Sequence, residues 1–303
     1  MQGKGSPTAR KSKLYRREHR VAALFIAAPV VGFCLFTAYP LGYSFYASLH
    51  DMNGLGHSSF VGLGNFVQAF NDPYFWQALG NTFFYMIGIP IGLVLSLILA
   101  LAMNRRMPGR SFFRAIYYVP VVSSLAAIAI LWQWAYNGDY GLVNQLLSYV
   151  GIQGPNWLMD ATWSKPAIII MTVWKGLGYS MLLYLAAIQS VPRSLYEAAS
   201  IDGASSWRQF WSITFPMVQP VTFFLVVTSV IGGAQIFTEI NIMTPTGGPE
   251  WSTASIVWYI WQKAFRNLQM GYASSMAVLL GIIIFAITLL QFYLNRRNQL
   301  EVD

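Results

Sequence analysis

Two groups of polar residues stand inside long apolar runs, where each is costly to keep. Lys175 lies about nine residues into a run over 166–190, roughly 13 Å deep at 1.5 Å per residue. An ionisable side chain at that depth faces a bundle interior or a wet cavity, unless its stem carries the ammonium back to the headgroups. Thr172, Lys175 and Tyr179 follow i, i+3, i+7 spacing and share one helical face, with Trp174 beside them. In the next run, over 217–240, Thr228, Gly232, Gln235 and Glu239 recur at i, i+4, i+7, i+11. Counted from the flanking prolines, Gln235 and Lys175 come to similar depth. The chemistry open to such faces is non-covalent: amides and hydroxyls match the hydroxyls of a sugar, and aromatics match its apolar ring faces. The same residues also suit contact between helices, Gly232-Gly233, Thr228 and Gln235 above all.

A third polar stretch, Pro192 to Pro216, separates those two runs. It is written as a helix, not a loop. Ser194 and Glu197 form an S-x-x-E pattern that can satisfy orphan N–H groups at a helix start. Leu195, Tyr196, Ala198, Ala199 and Ile201 supply about two turns of acceptable helix formers, and Gly203 stands where a left-handed cap belongs. A short capped helix of small residues held outside a bilayer is a contact surface for another protein.

Covalent chemistry finds no residues. No G-x-x-x-x-G-K-[ST] occurs, so nucleotide is not bound in that manner. The Gly-x-Gly pairs at 54–56, 62–64 and 176–178 lack a strand–turn–helix context. No Ser/His/Asp set or carboxylate pair is evident. His19, His50 and His57 have no paired ligand spacing, and the single Cys34 excludes a cysteine cluster and an intrachain disulfide.

The elements that must position these residues follow from composition. Of 303 residues, 55% are hydrophobic and only 10% charged, against about 25% charged in soluble domains. Six apolar runs, at 21–49 and about 80–103, 116–136, 166–190, 217–240 and 273–294, are each long enough to span a bilayer. The first follows a basic arm over 1–20 and is far longer than a signal-peptide core, so it reads as a retained span. Its Pro29 and Pro40 imply kinks. The net charge of +8 lies beside the spans, which argues against nucleic acid. Lys and Arg number seven in the arm, four in the Arg105–Arg114 turn, two in the 192–216 stretch and two at the tail. The loops between hold none and one. The fifth loop's Lys263 and Arg266 sit in a long segment, where the rule is weakest. Both termini and the 192–216 helix are therefore expected in the cytoplasm. The reading is an all-α integral membrane protein. It divides into the arm 1–20, a first helix 21–49, an extracytoplasmic loop 50–75, a permease domain 76–294 and a tail 295–303. The two halves differ in loop chemistry, which gives no support to an inverted repeat.

The 192–216 residues also carry a resemblance. Glu197-Ala198-Ala199, then Gly203, then Ile213-x-Phe-Pro216 is similar to the E-A-A-x-x-x-G … I-x-L-P loop of ABC-importer membrane subunits, with Phe215 where that family usually has Leu. Residues 21–49 resemble the first span of the carbohydrate branch, the maltose/glycerol-phosphate-like permeases. Phe60-Val61-Gly62-Leu63-Gly64-Asn65-Phe66 resembles their first outer loop, and Thr246-Gly247-Gly248-Pro249 their last. The resemblance implies a type I importer fold and a sugar-translocating permease. It further implies a second permease subunit, two ABC ATPase subunits docked on this loop, and an extracytoplasmic solute-binding protein. ATP and Mg would bind the ATPase and no cofactor this chain. Glu197, Ala198, Ala199, Asp202, Gly203 and Pro216 would form the coupling loop, and the fourth- and fifth-span faces the sugar path, with Tyr179 and Gln235 at the substrate. It assigns no role to Lys175, which leaves open an anionic cargo such as a glycerol phosphate. A secondary transporter would need carboxylates within the spans, for which Glu239 is the one candidate.

Overall fold

A computed structural model describes residues 21–300 except 24, 55, 106 and 107. The basic arm 1–20, Arg106 and residues 301–303 lie outside the described residues. The chain begins with α1 (Val21–Ser48). A small antiparallel hairpin follows, β1 (His50–Met52) against β2 (Ser58–Phe60), with His50 opposite Phe60. Next come α2 (Gly64–Asn71), α3 (Pro73–Tyr85) and α4 (Gly88–Asn104). After a basic turn come α5 (Arg110–Val122), α6 (Leu125–Ala135) and α7 (Leu142–Tyr149). The long α8 (Ser164–Ser190) leads to the short α9 (Arg193–Ile201) and then α10 (Ser206–Ala234). The chain closes with α11 (Thr238–Met243), α12 (Ile256–Trp261) and α13 (Met270–Leu300).

Among the described residues, five spans are long and apolar enough to cross a membrane: α1, α3–α4 as Pro73–Asn104, α8, α10 and the Met270–Arg296 part of α13. The expected third span over 116–136 is not straight. It is α5 and α6, bent by 102°, and makes a sixth span only if the pair is taken as one. The break is at Ser123 and Ser124, whose ψ angles of 148° and 128° are extended. The Ser123 hydroxyl donates to the Val119 carbonyl at 2.8 Å and helps close the end of α5. The helical membrane fold stands, with one small hairpin added to it.

Boundaries move for local reasons. The second span starts at Pro73, not about 80, because Asp72 caps α3 by accepting from the Tyr74 N–H at 2.9 Å and proline suits a first helical turn. The fifth helix ends at Ala234. Gln235 is its cap, and Glu239 belongs to α11, so the expected stripe Thr228, Gly232, Gln235, Glu239 does not run along one helix.

The helices meet without much help from hydrophobicity, since lipid is as apolar as leucine; close fit and hydrogen bonds take over. The most extensive pairing is α4 with α8. There the Ser96 hydroxyl donates to the Leu177 carbonyl at 3.2 Å. Where α5 crosses α8, a Cβ on Gly178 would collide with the Tyr117 carbonyl. Leu93, Met181, Tyr184 and Leu225 fill the space between α4, α8 and α10. Toward the other end, Tyr136, Trp157, Met171 and Trp258 form a second core.

The 60–66 motif has a structural account. Asn65 is buried, and its amide donates to the carbonyls of Ser48 and His50, each at 2.9 Å, pinning α2 against the end of α1 and the hairpin. The Thr246–Pro249 turn is closed by the Thr253 N–H donating to the Gly247 carbonyl at 2.9 Å. Asn81 then gathers that loop, donating to the carbonyls of Trp251 and Ala254 at 2.9 and 3.0 Å.

Candidate functional site

Two regions carry the residues that the sequence singles out. The first is α9. Its start is set by Pro192, which cannot continue α8 and holds Val191 extended, with ψ at 127°. The expected capping pair does not form. The helix begins at Arg193, so Ser194 lies inside it, and the Pro192 position makes no side-chain cap. The far end is the expected one. Gly203 has φ +75°, the left-handed region that other residues enter at a cost. Its N–H donates to the Ser200 carbonyl at 3.1 Å, and the Ala204 N–H to the Ala199 carbonyl at 2.9 Å. These two bonds are a Schellman termination.

One side of α9 is tied to the foot of α10. The Tyr196 and Thr214 hydroxyls are 2.9 Å apart, and the Gln209 amide donates to the Ser200 hydroxyl at 3.0 Å and the Ala204 carbonyl at 3.1 Å. The other side is bare: Glu197, Ala198 and Asp202 are exposed, and Ile201 is 87% exposed. A large apolar side chain left in that position at the tip of a fixed helix is a feature that sequence reasoning passed over as a helix former. Pro216 stands two residues beyond a π-helical segment, Phe210–Thr214. Proline has no N–H for the carbonyl four residues back, which favours a widened turn. Pro40 follows a second such segment, Cys34–Ala38, at the same spacing.

The second region is a cavity of about 250 Å³ between α3–α4, α8, α10 and α11. Of the residues expected to share the substrate path, it brings together Thr172 and Gly232; Lys175, Tyr179, Thr228 and Gln235 are not among its lining residues. Tyr179 and Gln235 are exposed on the helix surfaces. The Thr228 hydroxyl is turned to its own helix, donating to the Phe224 carbonyl at 2.9 Å. The cavity gains residues that the sequence gave no reason to group with them, Tyr85, Ser96, Ser180 and Ser229, while Glu239, grouped with Gly232 by spacing, also lines it. Five glycines open its walls: 88, 92, 176, 232 and 233. Lys165, read only as a loop charge, donates to the Asn81 side-chain amide oxygen (Oδ1) at 3.1 Å and lies 4.9 Å from the Phe84 ring.

Helices long enough to cross a membrane, an exposed helix rigidly joined to two of them, and a polar cavity between spans define a membrane transport subunit. The chain belongs to the family of binding-protein-dependent transport system inner membrane components, whose sequence model matches residues 88–299. It is 39% identical to the lactose transport system permease protein LacF of Rhizobium radiobacter, over 96% of this chain and 99% of that one. It is 31% identical to the sn-glycerol-3-phosphate transport system permease protein UgpA of Pectobacterium atrosepticum, over 87% of this chain and 90% of that one. Its fold matches a chain in a crystal structure of a bacterial alginate ABC transporter in complex with an alginate pentasaccharide-bound periplasmic protein. That match has a TM-score of 0.81 and 26% identity, and covers 94% of this chain and 96% of that one. The chain is thus a multi-pass permease of the cytoplasmic membrane, a transport subunit and not an enzyme.

Proposed function

We propose that this permease carries a sugar or oligosaccharide inward, paired with a second permease, driven by two ATPase subunits and supplied by an extracytoplasmic solute-binding protein. ATP and Mg are bound and used on the ATPase chains. Closure of the ATPase pair pushes α9, and the hydrogen bonds from Tyr196, Ser200 and Ala204 pass that movement to the foot of α10. The spans then rock about the polar cavity, exposing it to one side and then the other. Three relatives and neighbours handle lactose, glycerol 3-phosphate and alginate, so polyhydroxylated cargo is common to all of them.

The observation that carries this reading is the bare face of α9, ended by Gly203 at φ +75° and tied from behind. In the assembled complex, Glu197→Lys places a cation where a carboxylate meets the ATPase. Like-charge contacts at a docked surface cost several kcal/mol, so copurification of the ATPase and solute-stimulated ATP hydrolysis should fall about tenfold or more. Gly203→Val should act in the same direction by straining the cap. Full transport with Glu197→Lys would sink the proposal.

A further inference from the structure

Three of the five hydroxyls on the cavity wall are already committed as donors. Tyr85, Ser96 and Thr172 line it, yet each has already given its hydroxyl proton away. They donate to the carbonyls of Thr253 at 2.9 Å, Leu177 at 3.2 Å and Ile169 at 2.9 Å, respectively. What they have left for a ligand is oxygen lone pairs. Among the described lining residues, Glu239 is the one formally charged side chain. Burial opposes its charge. Its own N–H, the Phe237 N–H and the charge on Lys175 offset only part of that, so its carboxyl sits above its ordinary range. Lys175 stands off the lining, while Thr172 and Gly176 on either side of it face the cavity.

We propose that Glu239, the charged side chain on the lining, sets the charge selectivity of this cavity: it accepts uncharged polyhydroxylated solutes and turns away anionic ones. A sugar brings many O–H donors to a wall of acceptors, including a carboxylate. A phosphate or uronate brings negative charge and fewer donors. Lys175, off the lining, then offsets part of the cost of burying that carboxylate and is not the selector of an acidic cargo. This inference rests on the cavity being part of the sugar path, and its test separates the two.

The probes are a pair of thiol reagents of similar size, cationic trimethylammonioethyl and anionic sulfonatoethyl methanethiosulfonate. They are applied at pH 8 to full-length chain in membrane vesicles. Cys34, the single native cysteine, is first replaced (Cys34→Ser), and a cysteine is placed on either wall of the cavity by Ser229→Cys or Thr172→Cys. Two positions guard against one variant failing to fold. With rates normalised to a free thiol, the cationic reagent should react faster by on the order of tenfold, the low end of charge focusing in a cleft. Adding Glu239→Gln should abolish or invert that ratio. A ratio near one or favouring the anion with Glu239 present overturns the proposal, as does a cation preference that survives Glu239→Gln. If neither reagent reacts at either position, the cavity is closed to water, and its place on the sugar path fails as well.

Discussion

Asp72 joins segments that lie far apart in the chain. Its carboxylate accepts from the Tyr259 hydroxyl at 2.5 Å and the Tyr272 hydroxyl at 2.6 Å, besides capping α3 through the Tyr74 N–H. The Lys263 ammonium lies 5.3 and 5.6 Å from the same two rings. Partial burial raises the Asp72 carboxyl, but the two phenols, the Tyr74 N–H and the Lys263 charge together hold it below its ordinary 3.8. Burial first, and then the bond to Asp72, push the Tyr259 phenol well above its usual range. A lowered carboxyl contributes stability that is fully present above its unfolded value and lost as pH falls through the folded one. Asp72→Asn should therefore lower the thermal midpoint in detergent at pH 7 by a few degrees. That corresponds to about 1 kcal/mol, since hydrogen bonds to a charge are worth more but this one is only partly buried. The gap between wild type and variant should hold from pH 7 to about 5 and close below about pH 4. A gap that stays constant into acid would mean that the charge contributes nothing. In the sequence Asp72-Pro73 shows only as a turn signal. Its partners lie 187 and 200 residues away, and no local pattern pairs residues at that distance.

At the scale of elements, what was legible was whatever depends on local composition: the apolar lengths of α4, α8 and α13, and the glycine that ends α9. What was not legible depends on a break of one or two residues. The run 116–136 is apolar apart from Ser123, Ser124 and Gln133, and hydropathy averages the two serines away, although they turn the chain by 102°. The Thr228–Glu239 stripe assumed that the helix continues past Gly232-Gly233; it ends at Ala234, and Glu239 reaches the cavity from α11 instead. A periodicity argument holds only while one helix lasts. The crossing of α5 and α8 offers a test at this scale. Gly178 belongs to a Gly-x-Gly pair without a nucleotide-binding context, and a methyl there meets the Tyr117 carbonyl, which is main chain and cannot swing away. Gly178→Ala should destabilise by about 1–3 kcal/mol, the usual cost of overpacking, seen as a lower midpoint and a reduced yield of folded protein. Gly232→Ala should be milder, since nothing lies within 4 Å of a Cβ there. Equal losses at the two positions would remove the argument that α5 and α8 touch through backbone.

At the scale of the molecule, the first span is the least provided for by its own chain. None of the apolar window of α1 is buried, and Phe25, Phe36 and Tyr39 are 78%, 82% and 70% exposed; its later part packs on α13. Such a helix is covered by lipid or by a second subunit, and a single sequence holds no account of the latter. Orientation, by contrast, is an expectation drawn from charge alone, and the coupling proposal depends on it. The positive-inside rule predicts that the Arg105–Arg114 turn and α9 face the cytoplasm and that the segments around Asp72 and Asp139 face outward. In a Cys34→Ser background, Asp139→Cys should react with an impermeant maleimide in intact cells. Arg105→Cys should react only in inverted vesicles. Both positions are exposed, so a missing signal reports sidedness and not burial. If the pattern is reversed, α9 points away from every source of ATP, and no docking on Glu197 or Ile201 can move these spans.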